Sequence, residues 1–142
     1  MSYFNDFERL FMRRSLELIE AYNGDYETTL LLNALVGLLF FPHERMRDMI
    51  PRIPVQALDE WGFDPGCIVN AGENKDIDNI DLRELVRRLR NSVAHCTVTP
   101  VPNDDRPCEG FYFVDRNGFE ADIPAGQLKS LMTHLLAHML EQ

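Results

Sequence analysis

Apolar residues recur at helical spacing from the start of the chain. Over positions 3–22, Phe4, Phe7, Leu10, Phe11, Leu18, Ile19 and Tyr22 predict a first helix, which Asn23-Gly24 ends. Asp25 stands where a side chain would cap the next helix, roughly residues 26–40. That segment is apolar on nearly every side, which predicts a buried central helix stopped by Pro42. A short helix is expected at 44–50. From 51 to 79, Pro51, Pro54, Gly62, Pro65, Gly66 and Gly72 break any period, and an acidic stretch occupies 76–81. One helical turn is expected near 56–61, with the rest a surface connection. A further helix is predicted from Asp78 or Asn79 to about Cys96, with Leu82, Leu85, Val86, Leu89, Val93 and Cys96 on one stripe. Pro100 and Pro102 then end regularity, so 97–109 reads as a polar loop. Residues 111–114 and 119–123 flank Asp115-Arg116-Asn117-Gly118 and form a strong hairpin signal, Asn-Gly supplying the positive φ of a tight turn. Pro124-Ala125 opens a last helix with Leu128, Leu131, Met132, Leu135 and Met139 on one face. Residues 1–142 are therefore expected to form one mainly α domain, with a small β-hairpin inserted before the last helix.

Composition narrows the class. At 142 residues, 45% apolar and 26% charged, the chain can bury a real core and does not have the bias of a disordered protein. The longest apolar run, 30–41, is broken by Asn33 and too short to cross a bilayer, and Asn5, Asp6 and Glu8 interrupt the start where a signal sequence would be apolar. No membrane association and a cytoplasmic location are expected. Three cysteines, Cys67, Cys96 and Cys108, cannot all pair within one chain, and they are read as reduced thiols, with pairing of Cys96 to Cys108 as the alternative.

Charge changes the picture more. A net charge of −9 argues against a broad nucleic-acid surface. Yet the cations are twelve arginines and two lysines, and Arg83, Arg87, Arg88 and Arg90 crowd into one helix. Arginine's planar fork grips phosphate in a fixed geometry, so an acidic body with one local cluster fits a phosphate-reading site. A solvated helix face paired with Glu84 is the competing reading of the same charges.

Within this helix lies Arg90-Asn91-Ser92-Val93-Ala94-His95. At about 100° per residue, Arg87, Asn91 and His95 project away from the apolar stripe and Arg90 lies at its flank. His95 is thus off the core face, although a polar residue favoured near a helix end by the dipole would sit there too. Imidazole exchanges a proton near neutral pH, and a guanidinium holds phosphate and offsets charge building on its oxygens. With the Asn91 amide and Ser92 hydroxyl, these groups suit cleavage of RNA by its own 2′-hydroxyl, which leaves a 2′,3′-cyclic phosphate and a free 5′-hydroxyl without a metal or other cofactor. Arg90 and His95 lie about 140° apart around the axis, so one helix does not converge them. Two copies facing across a twofold axis could, which makes a homodimer with a composite site the mechanistic expectation.

The motif resembles that of the HEPN superfamily (higher eukaryotes and prokaryotes nucleotide-binding domain), in its bacterial type: an arginine, a polar residue, a short spacer and a histidine. The resemblance extends over most of the chain: the long first helix, the apolar second helix ending Leu38-Leu39-Phe40-Phe41-Pro42, the motif helix and the closing helix. It implies an antiparallel helical bundle and a metal-independent endoribonuclease acting as a dimer on RNA, often as a toxin or phage-defence element. By position it makes Arg90 and His95 catalytic with Asn91 in support; beside these, Ser92, Arg87 and Arg88 are read as supporting, phosphate-binding residues. The chain carries no nucleotidyltransferase segment, so an antitoxin would be a separate protein. The rival reading is a catalytically inactive HEPN-like module that binds a protein or nucleotide, favoured by the acidic charge.

Other constellations are weaker. His134 and His138, four apart, have the spacing of metal ligands but lack a completing set, so no metal site is expected. Asp76, Asp78 and Asp81 lack the glycine and final glutamate of a calcium loop and read as a linker with a helix cap. Cys67 has no histidine partner to activate it. Phe111, Tyr112 and Phe113 could stack on bases, but alternate strand residues more often pack on a core.

Overall fold

The computed structural model of the protein describes residues 6–37, 48–102 and 109–141. Helix α1 spans Asp6–Ala21, α2 Glu27–Gly37, α3 Leu82–Ala94 and α4 Ala125–Leu140. Strands β1 (Ile68–Asn70), β2 (Val98–Val101), β3 (Gly110–Val114) and β4 (Glu120–Pro124) form one antiparallel sheet in the order β1-β4-β3-β2. The mainly α class holds, and the expected hairpin is β3–β4 at the centre of a larger sheet.

The last helix, rather than the second, is the hub. Leu128, Leu131, Met132, Leu135, Leu136 and Met139 of α4 are all buried, and the helix packs against α1, α2, β3 and β4. Lys129 ties it to Glu27 of α2 at 3.1 Å, and Arg9 Nη1 of α1 donates to the Leu140 carbonyl at 3.0 Å. Helix α2 buries Leu31, Ala34, Leu35 and Gly37, while Thr29 and Asn33 face solvent. Its apolar character therefore exceeds its burial. The same holds for α1, where Met12 and Ile19 are buried but Phe7, Leu10 and Leu18 are exposed. The turn between them is closed by the Tyr22 hydroxyl, which accepts from Tyr26 N at 2.9 Å, whereas Asp25, the expected cap, is exposed. The expected stop at Pro42, most of the 44–50 helix and Cys108 lie outside the described residues; Asp48 and Met49 are helical.

The sheet buries one face. Phe111 and Phe113 of β3 and Ala121 and Ile123 of β4 point into the core, with Tyr112 donating to Glu120 at 2.6 Å on the other side. Phe111 and Phe113 thus pack on the core, their rings edge to face at 6.3 Å. Strand β2 occupies a stretch that reads as loop in the sequence. It pairs Val98 with Phe113 and Val101 with Gly110 at the sheet edge, where Pro100 is tolerated. Gly110 has a close neighbour, since a Cβ there would lie 2.5 Å from the Ile123 carbonyl oxygen. In the hairpin turn only Gly118 takes a positive φ (91°), and it donates to the Asp115 carbonyl at 3.0 Å. Asn117 instead accepts from Phe119 N at 3.0 Å through its side chain.

The proline- and glycine-rich span after Ile50 is also built rather than loose. It contains 3₁₀ turns at Val55–Trp61, Pro65–Cys67 and Ile77–Asn79 and buries Val55, Leu58, Phe63, Ile68, Ala71 and Ile80. Val55 N donates to the Ile80 carbonyl (3.2 Å) and Leu82 N to the Ile53 carbonyl (2.8 Å), so residues 53–55 run beside the entrance to α3.

Candidate active site on the third helix

Helix α3 begins later than expected. Asp81 caps it by accepting from Glu84 N at 3.0 Å, while Asp76 caps the preceding turn through Asp78 N. Leu82, Leu85, Val86 and Leu89 bury the expected stripe. The helix ends at Ala94 with His95 as its C-cap, and Cys96 comes next in the left-handed region at φ 57°. Cys96 N donates to Val93 O (3.1 Å) and Thr97 N to Ser92 O (2.8 Å), the paired bonds of a Schellman ending. Cys96 is exposed and off the stripe where periodicity puts it, because the chain has already left the helix. A left-handed conformation costs a non-glycine residue about 1–2 kcal/mol, partly offset by glycine's freedom in the unfolded chain. Cys96→Gly is therefore expected to stabilise the protein by about 0.5–1 kcal/mol, a melting temperature higher by roughly 2–4 °C in differential scanning calorimetry. An unchanged or lower value would count against this account of the helix end.

The polar residues of α3 divide between two faces. On one, Arg88 Nε and Nη2 lie 2.9 and 2.8 Å from Glu84 Oε2, and Arg88 Nη1 donates to Asp115 Oδ2 at 2.9 Å. Asn91 Nδ2 reaches the same Asp115 oxygen at 3.2 Å. Ser92 is fully buried; its hydroxyl donates to the Arg88 carbonyl at 2.8 Å and its own carbonyl accepts from Thr97. Arg88 and Asn91, expected at the phosphate, thus fasten the helix to the β3–β4 turn, while Ser92 bonds within α3 and to Thr97 at its end. Burial opposes ionisation of Asp115, but hydrogen bonds from Arg88, Arg116 N and Asn91 outweigh it and hold the carboxyl below its usual range.

On the other face, Arg83, Arg87 and Arg90 fall at i, i+4 and i+7 and line a cavity of about 210 Å³. Arg52 and Lys75 line it from the segments before α3. Arg83 Nε donates to the Ile50 carbonyl at 2.6 Å, which holds that wall against the helix. Arg90 is 9% exposed, and its burial pushes the guanidinium below its ordinary value, though arginine remains a cation at any working pH. Arg87 is half-exposed, with Nη1 4.0 Å from Glu84 Oε1. His95 is exposed and does not line this cavity. Within one chain, Arg90 lines this cavity and His95 does not.

The HEPN pEK499 p136 family matches residues 1–142. The chain belongs to this HEPN family. No curated protein and no solved structure matches it. Family membership agrees with the HEPN resemblance drawn from the motif and the helical order, and no helix among the described residues is long and apolar enough to cross a membrane.

Elsewhere in the HEPN domain the competing constellations have structural partners. His134 stacks on Trp61 (centroids 5.6 Å apart) and makes a 2.8 Å hydrogen bond through Nδ1 to the Ser130 carbonyl, and His138 tilts against the same indole at 6.2 Å. No group of three or more His, Cys, Asp or Glu among the described residues is placed to hold a metal. Burial, with Asp64 and Asp122 nearby, pushes the Cys67 thiol up to about 11, so it stays protonated and a poor nucleophile at neutral pH. Sequence reasoning missed Arg52, Lys75 and Asn79 as cavity residues. They are distant from the motif in the chain and lie in a span without periodicity, so no local signal marks them.

Proposed function

We propose that this single HEPN domain, residues 1–142, is a metal-independent endoribonuclease that acts in the cytoplasm as a homodimer. The observation that carries the reading is the division of α3: Arg90 in a cationic cavity, His95 exposed at the helix end, and the helix between them fastened to the sheet. Facing two such helices across a twofold axis would gather two arginines and two histidines around one phosphodiester. One His95, neutral, takes the proton from the ribose 2′-hydroxyl as its oxygen attacks phosphorus. The bond from phosphorus to the 5′-oxygen breaks, and the second His95, protonated, gives that oxygen its proton. Arg90 holds the non-bridging oxygens as charge builds on them. Arg87, half-exposed on the same side as Arg90, is an auxiliary phosphate contact, whereas Arg88, Asn91 and Ser92 act by holding the helix.

The biological setting that fits such an activity is a toxin or phage-defence element with a separate antitoxin. The test is incubation of the purified protein with single-stranded RNA in chelator: products ending in 2′,3′-cyclic phosphate and 5′-hydroxyl are expected, with growth inhibition on expression in bacteria that Arg90→Ala relieves. The acidic net charge of −9 favours the second reading, a catalytically inactive HEPN binding module. Harmless overproduction together with intact RNA would select it.

A further inference from the structure

The cavity beside α3 is richer in cations than the motif alone requires. Among the described residues, Arg52, Lys75, Arg83, Arg87 and Arg90 line it against two carboxylates, Asp81 and Glu84. Both carboxylates are already engaged, Asp81 by the Glu84 N–H at the helix start and Glu84 by Arg88 at 2.8 Å. Arg52 and Lys75 are exposed, and neither forms an ion pair among the described residues. In a chain of net charge −9, this concavity gathers positive charge where arginine forks can grip an anion.

Its size and lining indicate which anion. About 210 Å³ is many times the roughly 10–15 Å³ that a cavity needs to admit one water, so there is room for a phosphate with its sugar. Among the described residues none that lines it is aromatic, and the five cations put recognition on the sugar–phosphate backbone. Arg83, Arg87 and Arg90 run about 10 Å along the helix, from the cavity's inner wall to the motif itself. We propose that this cavity is a second phosphate site, holding an RNA phosphate that neighbours the one bound at Arg90, with Arg52 and Lys75 as its outer contacts. The proposal rests on the nuclease reading, and it adds a binding subsite to that site.

The test uses His95→Ala protein, to keep RNA intact, and a short fluorescently labelled single-stranded RNA followed by anisotropy over a range of salt. Adding Arg52→Ala and Lys75→Ala is expected to weaken binding about tenfold and to lower the slope of log affinity against log salt by about 1.4, two phosphate contacts at roughly 0.7 each. Charge reversal, Arg52→Glu with Lys75→Glu, should weaken binding further; both side chains are exposed, so the melting temperature should not change. Equal affinity and equal slope in the alanine variant overturn the site. Adenosine 5′-monophosphate in the same titration distinguishes the source: if the substitutions abolish its binding and leave RNA binding intact, the cavity takes a free nucleotide and the RNA assignment fails. Wild-type protein that cuts RNA while the variants bind it undiminished overturns the second site and leaves the nuclease reading standing. RNA binding that depends on Arg52 and Lys75 in a protein that cuts nothing supports the site and removes the nuclease reading.

Discussion

His95→Ala is expected to lower cleavage of single-stranded RNA by about 10²–10⁴-fold while leaving the circular dichroism spectrum and melting temperature unchanged. The two halves of that expectation have separate grounds. The rate should fall because no other histidine among the described residues is available to shuttle the proton: His134 and His138 lie on α4 against Trp61. The fold should persist because the exposed His95 ring closes no core, and the helix ending is made by the backbone bonds of Cys96 and Thr97. Arg90→Lys should cost about 10²–10³-fold, since an ammonium keeps the charge and loses the fork. A composite site adds a sharper requirement. The reaction uses both His95 rings of the dimer, one as base and one as acid, so a heterodimer of wild-type and His95→Ala chains should keep far less than half of the wild-type activity. Undiminished cleavage by His95→Ala would sink the catalytic assignment, and a heterodimer that keeps half of the activity would place the reaction within one chain.

How much of this is legible in the sequence depends on where each residue's partners lie. Helix α4, the β3–β4 hairpin and the buried stripe of α3 can be read because their information is local: apolar residues at a fixed period, an Asn-Gly turn, a proline at the start of a helix. The span between Ile50 and Asp81 cannot. Its buried apolar residues, Val55, Leu58, Phe63, Ile68, Ala71 and Ile80, come singly at intervals of three to nine positions, with 3₁₀ turns between them, and match neither a helical nor a strand template. Strand β2 is hidden by Pro100, which argues against a central strand but not against an edge one. The same distinction governs the site. The angle between Arg90 and His95 comes from helix geometry alone, whereas nothing local shows that Arg88 pairs with Asp115, which stands 27 positions downstream in a hairpin turn. That contact also gives the hairpin a purpose: its first turn residue fixes the motif helix.

Asp115→Ala is expected to destabilise the protein by about 2–4 kcal/mol, roughly 5–15 °C in melting temperature. The Arg88 and Asp115 side chains are only 12% and 3% exposed, so removing the carboxylate leaves a guanidinium largely out of water with Glu84 as its remaining partner, and Asn91 loses its acceptor. The effect should depend on pH in one direction. Asp115 has a folded-state value below its ordinary 3.8, so its ionic contribution is complete above that value and is lost as pH falls through the folded-state value. The advantage of wild type over Asp115→Asn, which keeps the shape but not the charge, should therefore be constant at neutral pH and shrink below about pH 4. Replacing both partners, Arg88→Met with Asp115→Leu, should recover much of the lost stability, because two apolar groups leave neither charge stranded. That double variant also separates the two roles open to Arg88. If Arg88 serves only to fasten α3, restoring stability restores RNA cleavage; a stable double variant that binds RNA more weakly, with a shallower salt dependence, would return Arg88 to the phosphate.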